Sequence, residues 1–285
     1  MKKTNRKCAV VLLMILLLTG CAAKMEEPAA QPTLPCPFYD AGIVRQHLSS
    51  RRTKDGAAVL FGAVVPHHAP FMQMVADTLS SVERDIDTVV VIAPNHDEID
   101  EEVQVSGEGY YWPHGSICGA AALARTLLDD TALGAVQAGD VLITDHAASL
   151  QMPYIREAFP QAQVVTVFLK RTVTDAQLDT LAKLLLKEAE NTELFVLASI
   201  DFSHGQNPEQ TKVCDEEVRE AVLRQDHQLL RSWDGAHLDA PHVLSVMLRL
   251  AQLRESSFTE LDYVLNCFVE NATVQGASYF SWGLE

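Results

Sequence analysis

The sequence predicts an α/β fold with a mixed, mostly parallel central sheet flanked by helices. Three observations carry that expectation. Runs of apolar β-formers alternate along the chain with segments whose apolar residues recur at helical spacing. The runs are continuously apolar, as strands buried on both faces are. Three of them end by presenting a histidine. Parallel strands joined by one helix exit on the same sheet edge, and in open α/β sheets that edge is where ligands bind.

The chain opens with a separate segment. Lys2, Lys3, Arg6 and Lys7 form a basic start, Ala9 to Leu18 an apolar core too short to span a bilayer, and Leu18-Thr19-Gly20-Cys21 follows. This resembles a bacterial lipoprotein signal. The resemblance implies cleavage before Cys21, lipid on Cys21, and a chain anchored on the extracytoplasmic side of the bacterial cell envelope. Residues 21–38, with Ala, Glu, Gln and several prolines, read as the lipidated cysteine and a flexible tether. No linker interrupts the pattern beyond it, so residues 39–285 read as one domain.

Within that domain, Ala57 to Val65 reads as a strand that stops at Pro66-His67-His68. Phe71, Met74, Val75, Leu79 and Val82 follow at helical spacing, and Thr88 to Ala93 forms a second buried strand that stops at Pro94-Asn95 and delivers His96. The β-α-β unit brings His67, His68 and His96 within reach of one another. Converging imidazoles suggest a metal or an acid/base pair.

Asp97 to Glu102 reads as a solvated acidic loop. Tyr110 to Gly115 reads as a loop pinned to the core or a pocket wall, and Ala120 to Leu128 as a helix. A helix is expected from His146 to Phe159, capped by Asp145. At its start the dipole keeps His146 neutral, able to bond a substrate oxygen or a metal-bound group, or simply to serve the local structure. Gln163 to Leu169 is a further strand and Thr174 to Ala189 a helix. The strand Glu193 to Ala198 ends in Ser199-Ile200-Asp201-Phe202-Ser203-His204, where Asp201 either orients the His204 imidazole for proton transfer or caps the turn. Asn207 to Arg231 and Val243 to Leu253 read as helices, with Pro241 in the first turn of the latter and Asp239 suited to cap it. Leu261 to Val269 and Thr273 to Trp282 close the chain as two strands.

A formal charge of -16, more negative once a basic leader is removed, argues against nucleic acid or anionic headgroups as partners and favours cations. Cys36, Cys118, Cys214 and Cys267 fit no zinc spacing; outside the cytoplasm one or two disulfides are allowed, with no pairing specified.

Pro66-His67 after a strand, Ala93-Pro94-Asn95-His96, Asp145-His146 followed by Gln151-Met152-Pro153-Tyr154, and Asp201-Phe202-Ser203-His204 resemble, in order and rough spacing, the Memo-like family, also called AmmeMemoRadiSam system protein B. Tyr111-Trp112-Pro113-His114-Gly115 is similar to that family's Trp-x-x-Pro-Leu-Gly loop with shortened spacing. The resemblance spans about residues 57–283. It implies a fold like that of class III extradiol dioxygenase catalytic subunits, which hold non-haem Fe(II) by two histidines and a glutamate. Carried over, His67 and His96 become metal ligands and His204 the acid/base histidine.

The family's usual third ligand is a cysteine, and none stands at that place here; Asp239 is favoured, with His237 as the alternative. A carboxylate there makes a 2-His-1-carboxylate set suited to Fe(II) or Mn(II), whereas three imidazoles would suit zinc or copper as well. His68 remains an alternative to His67. His146 is Ala-Ala-Ser rather than Ser-Leu-Glu in context, so the family's glutamate is missing there.

The expected activity is therefore that of a divalent-metal-dependent, dioxygenase-like oxidoreductase, Fe(II) favoured, acting on a small-molecule substrate. His204, Asp201 and His146 are the candidate catalytic groups, and His68, Trp112, His114 and His242 the candidate substrate contacts. Two other readings are a lipid-anchored protein that binds metal or a small ligand without turnover, and a zinc hydrolase. The resemblance further implies association with AMMECR-type and radical SAM proteins.

Overall fold

The structure, a computed structural model, describes residues 31–53, 59–270 and 272–285. The expected leader, Cys21 and the tether up to residue 30 lie outside the described residues, as do residues 54–58, of which Ala57 and Ala58 open the first expected strand.

In chain order the first elements are β1 (Pro32–Pro35), α1 (Ala41–Ser49), β2 (Gly62–Val65), α2 (Met72–Leu79), β3 (Thr88–Pro94), β4 (Val103–Ser106), β5 (Gly109–Trp112) and β6 (Gly115–Ile117). They are followed by α3 (Ala121–Asp129), β7 (Val136–Gln137), α4 (Val141–Thr144), α5 (His146–Ser149), α6 (Met152–Ala158), β8 (Gln163–Leu169) and α7 (Asp175–Ala189). The chain closes with β9 (Leu194–Ser199), α8 (Pro208–Arg224), α9 (His227–Arg231), α10 (Pro241–Arg254), β10 (Phe258–Glu270) and β11 (Thr273–Leu284).

The main sheet runs β10-β11-β2-β9-β3-β8-β4-β7. Its middle, β2-β9-β3-β8, is parallel, while β11 and β4 join antiparallel on either side. The mixed, mostly parallel sheet flanked by helices agrees with the sequence. One refinement matters for function: β2 and β3 are not neighbours, because β9 lies between them.

The continuous apolar runs are explained by burial on both faces. Val64, Val90, Ile92, Val165, Val167, Val196 and Ala198 face one core, which α3, α7, α8 and α10 cover. Ala63, Val65, Val89, Val91, Val164, Phe168 and Leu197 face the other, under α1, α2 and α6. The alternation is the two-residue period of a strand, and each fully buried Val or Leu contributes roughly 1.5–3 kcal/mol.

Two expected helices are broken. The segment from His146 to Phe159 divides into α5 and α6 at Leu150-Gln151, and the segment after Asn207 divides at Gln225, whose φ of 52° is left-handed. Residues 32–35, inside the stretch expected to be tether, form β1, which pairs with β5 in a small second sheet, β1-β5-β6. The Cys36 amide extends that pairing by donating to the Tyr111 carbonyl at 3.0 Å. The Tyr110–Gly115 segment is thus a hairpin and not a loop. Cys36, Cys118, Cys214 and Cys267 are all free thiols, so the allowed disulfides are not formed.

Candidate metal centre

The insertion of β9 sets three strand exits side by side. Val65 pairs with Ser199 and Ile92 with Ala198, so Pro66-His67, Ile200-Asp201 and Asn95-His96 leave the sheet at one level. A fourth segment meets them from the start of α10. The Asp239 amide donates to the Asp201 carbonyl at 3.0 Å, the Asp201 amide donates to Asp239 Oδ1 at 3.2 Å, and Arg171 Nη2 donates to the Asp239 carbonyl at 2.8 Å. The cap of α10 is Ala240, with no side-chain bond. The Asp239 carboxylate is therefore not the helix cap that its position suggested and turns toward the imidazoles.

His67 Nε2 lies 3.0 Å and His96 Nε2 3.4 Å from the same oxygen, Asp239 Oδ2, and the two rings are 5.1 Å apart and nearly perpendicular. The far nitrogen of each ring is held from behind. Ser199 Oγ donates its proton to the Ala147 carbonyl at 2.8 Å, so it accepts from Gln151 Nε2 at 3.1 Å and from His67 Nδ1–H at 3.2 Å. His96 Nδ1–H donates to Asp145 Oδ2 at 2.9 Å, an oxygen that also accepts the His96 amide, while Asp145 Oδ1 accepts the Ala147 amide. With Nδ1 committed on both rings, each Nε2 faces Asp239, an arrangement that orients imidazoles for a metal.

Electrostatics agree with that geometry. Burial would raise the Asp239 pKa, but His67 and His96 outweigh it and hold the carboxyl well below the usual range. Burial would likewise lower the His96 pKa; its bonds to Asp145 and Asp239 prevail and push it up to about 10. His67 is also raised, Asp201 and Asp239 overcoming complete desolvation. Burial and the neighbouring His67 lower the pKa of His146. The shift is owed to desolvation and to like charge, and not to the helix dipole that the sequence suggested.

The donor set fits a divalent ion. Ligand bonds of about 2.0–2.2 Å put two donors on one ion roughly 3–4 Å apart, and the three donors of His67, His96 and Asp239 lie within 4.8 Å of one another. The His96 side chain is 35% and that of Asp239 20% exposed, so one side of the group opens to solvent. Two imidazoles and one carboxylate are a donor set that suits several divalent ions.

The other expected site residues divide. His146 stands at the centre, stacked on His96 at 5.3 Å and edge-on to His67 at 5.2 Å. Asp201 Oδ1 accepts the His67 amide at 3.0 Å, while Oδ2 lies 3.9 Å from both His68 Nδ1 and His204 Nε2. Those separations exceed hydrogen-bond range, so Asp201 does not orient His204 by a direct bond as expected. His237 is elsewhere: its Nε2 meets Glu217 Oε2 at 2.6 Å and its ring stacks on Trp233, which removes it as a third ligand. His242 is a core residue and no substrate contact. Its Nε2–H donates to the Leu169 carbonyl at 3.0 Å, and burial lowers its pKa to about 4. Trp112 and His114 line a cleft of about 800 Å³ with Tyr39, Arg45, Arg51 and Arg156, and none of the three metal donors lines it.

Sequence reasoning placed Ser199 and Gln151 in motifs without giving either a role, and the only role it gave Asp145 was that of a cap. It also missed Phe38, whose ring lies 5.8 Å from His146. Nothing in the local sequence around Ser199 or Phe38 signals these roles.

Residues 47–282 match the profile of a family described as Memo-like protein. The chain belongs to the Memo-like family. This Memo-like chain is 27% identical over 207 residues to a MEMO1 family protein of Methanosarcina mazei, and 26% identical over 206 residues to one of Methanosarcina acetivorans. Each alignment covers 69% of this chain and 75% of the relative. Among solved structures, an uncharacterized protein, JW3007, from Escherichia coli K12 matches with a TM-score of 0.49 at 13% identity, covering 77% of this chain and 98% of that one. That likeness is too slight to bear on the Memo-like chain's activity.

Proposed function

We propose that this Memo-like chain is a lipid-anchored envelope protein whose His67, His96 and Asp239 hold a divalent ion, Fe(II) favoured, for oxidoreductase chemistry of the dioxygenase kind on a small hydroxylated or enolisable substrate. The observation that carries the reading is the pair of imidazoles, each tied back through Nδ1 and each offering Nε2 to the same carboxylate oxygen. An Fe(II) ion in such a set supplies Lewis acidity and open positions for substrate and O₂.

The chain's own residues supply the rest. Asp145 and Ser199 keep the two imidazoles in one orientation. His146, kept neutral and packed against both rings, is the group placed to take the proton of a substrate hydroxyl at its free ring nitrogen. Phe38 closes one side of that ring.

The test begins with metal analysis of the full chain after anaerobic Fe(II) loading, followed by oxygen uptake with catechol-type substrates. At least one ion per chain is expected, with one fewer in Asp239→Ala and oxygen consumed only by the loaded wild type. If Asp239→Ala binds as many ions as the wild type at the same affinity, the centre is not where the reading puts it. A second reading, metal binding without turnover, is favoured by the separation of the large Trp112 cleft from the donors; a bound ion with no oxygen uptake selects it. The lipid anchor rests on Leu18-Thr19-Gly20-Cys21, and a Cys21→Ser chain that still partitions into membranes refutes it. Association with AMMECR-type and radical SAM proteins rests on family resemblance, and co-purification with either tests it.

A further inference from the structure

The doubled histidine of Pro66-His67-His68 sends its two rings to different groups. His67 is buried and faces His96 and Asp239, while His68, with its side chain 48% exposed, faces Asp201 and His204. His68, Asp201 and His204 offer three donor atoms within 4.8 Å of one another. Their pivot is the buried carboxylate of Asp201. Its Oδ1 is satisfied by the His67 amide, but Oδ2 accepts no hydrogen bond among the described residues. Around that oxygen stand His68 Nδ1 and His204 Nε2, each at 3.9 Å, and His67 Nε2 at 3.7 Å.

These spacings are too long for hydrogen bonds and match donors that share an ion, since bonds of about 2.0–2.2 Å separate two donors by roughly 3–4 Å. The imidazoles are also positioned rather than loose. Tyr279, stacked on Phe71 at 3.8 Å, forms a wall that His68 meets at 5.6 Å and His204 at 6.0 Å. Both histidine side chains remain more than a third exposed, which leaves room for ligands from solvent. The net negative charge of the chain favours cations as ligands in general.

We infer that His68, Asp201 and His204 bind a second divalent cation beside the first, so that the centre is a two-metal site with the Asp201 carboxylate adjacent to both ions. The inference rests on the reading of His67, His96 and Asp239 as a metal centre, and it gives the two histidines one ion each. It also assigns His204 to coordination in place of proton transfer.

The probe is Mn(II) alone, added to the full chain by equilibrium dialysis, with bound metal counted and the paramagnetic resonance spectrum recorded. Two ions per chain are expected, with a spectrum broadened by coupling, because two-metal sites hold their ions about 3.5–4 Å apart. His68→Ala and His204→Ala should each keep one ion and give the sharp hyperfine pattern of isolated Mn(II), and His96→Ala should keep the ion of the second group. His68→Asn serves as a milder change should either alanine variant lose its fold. A wild-type stoichiometry of one overturns the second ion. If that single ion is lost in His96→Ala and kept in His68→Ala, the first centre still stands, whereas no bound Mn(II) at all removes both.

Discussion

At the scale of single residues, the centre is a contest between burial and pairing. His96 would lose charge on burial, yet Asp145 and Asp239 raise its pKa to about 10, against an ordinary value near 6.5. In the ion-free protein this pairing stabilises the fold fully below about pH 6.5, and the contribution is lost as pH rises through about 10. A metal ion must displace the proton from His96 Nε2, so binding competes with protonation across the neutral range. Affinity for Mn(II) should therefore tighten as pH rises from about 6 to 9, by about tenfold per unit for one displaced proton. Calorimetry in buffers of different ionisation enthalpy measures the proton release directly, and affinity that is flat with pH contradicts the pairing. His67 and His96 were legible as donors because histidines at strand exits are conspicuous, whereas Asp239 came only through the family resemblance. Ser199 was not legible: a buried serine becomes the backstop for His67 only when β9 lies beside β2.

At the scale of elements, the breaks place the chemistry. A continuous helix from His146 to Phe159 was expected from apolar spacing. Its division at Leu150-Gln151 lets Gln151 reach the Pro66 carbonyl at 3.0 Å and Ser199 at 3.1 Å. The helix α10 shows a different economy. It is buried along Pro241 to Ala251, starts without a side-chain cap, and ends at Glu255, an exposed residue held at φ 54°. A left-handed conformation costs an L-residue roughly 1–2 kcal/mol, and glycine adopts it freely. Glu255→Gly should stabilise the protein by about 1 kcal/mol, a rise of about 2–4 °C in Tm for a domain of this size. Calorimetric melting checks it, and an unchanged or lower Tm shows that the side chain contributes more than its backbone strain costs. The signals for α10, Pro241 and the apolar run, were plain in the sequence, but which residue caps it was not. Asp239 fits a cap and a ligand equally well until Asp201 claims its backbone.

At the scale of the whole molecule, the N-terminal boundary moves. Pro32–Pro35 and Cys36 are fastened to β5 through backbone bonds, and Leu34 and Cys36 pack into the core beneath α1, α2 and α6. Phe38 and Tyr39 then run between His146 and the Trp112 cleft. A chain beginning at residue 39 should melt below one beginning at residue 31 and show faster amide exchange at Gly109 to Tyr111. Equal stability and equal protection would mean that the segment is an ornament on the fold. Composition misled here, since prolines and small residues read as tether, whereas a short parallel strand needs only that its partner be present.

By itself the sequence determined the class of the fold, the strands of the parallel middle of the sheet, and the histidines that leave those strands. Those properties are local: burial on both faces makes a strand apolar throughout, and a histidine after a proline marks its exit. The tertiary structure alone decided which donors meet. Register between β2, β9 and β3 aligns His67, Asp201 and His96, and a return from the far end of the chain brings Asp239 to them while leaving His237 with Glu217 and His242 in the core. The physical reason is that coordination and hydrogen bonding act over about 2–4 Å between residues far apart in sequence, distances that no pattern along one chain encodes.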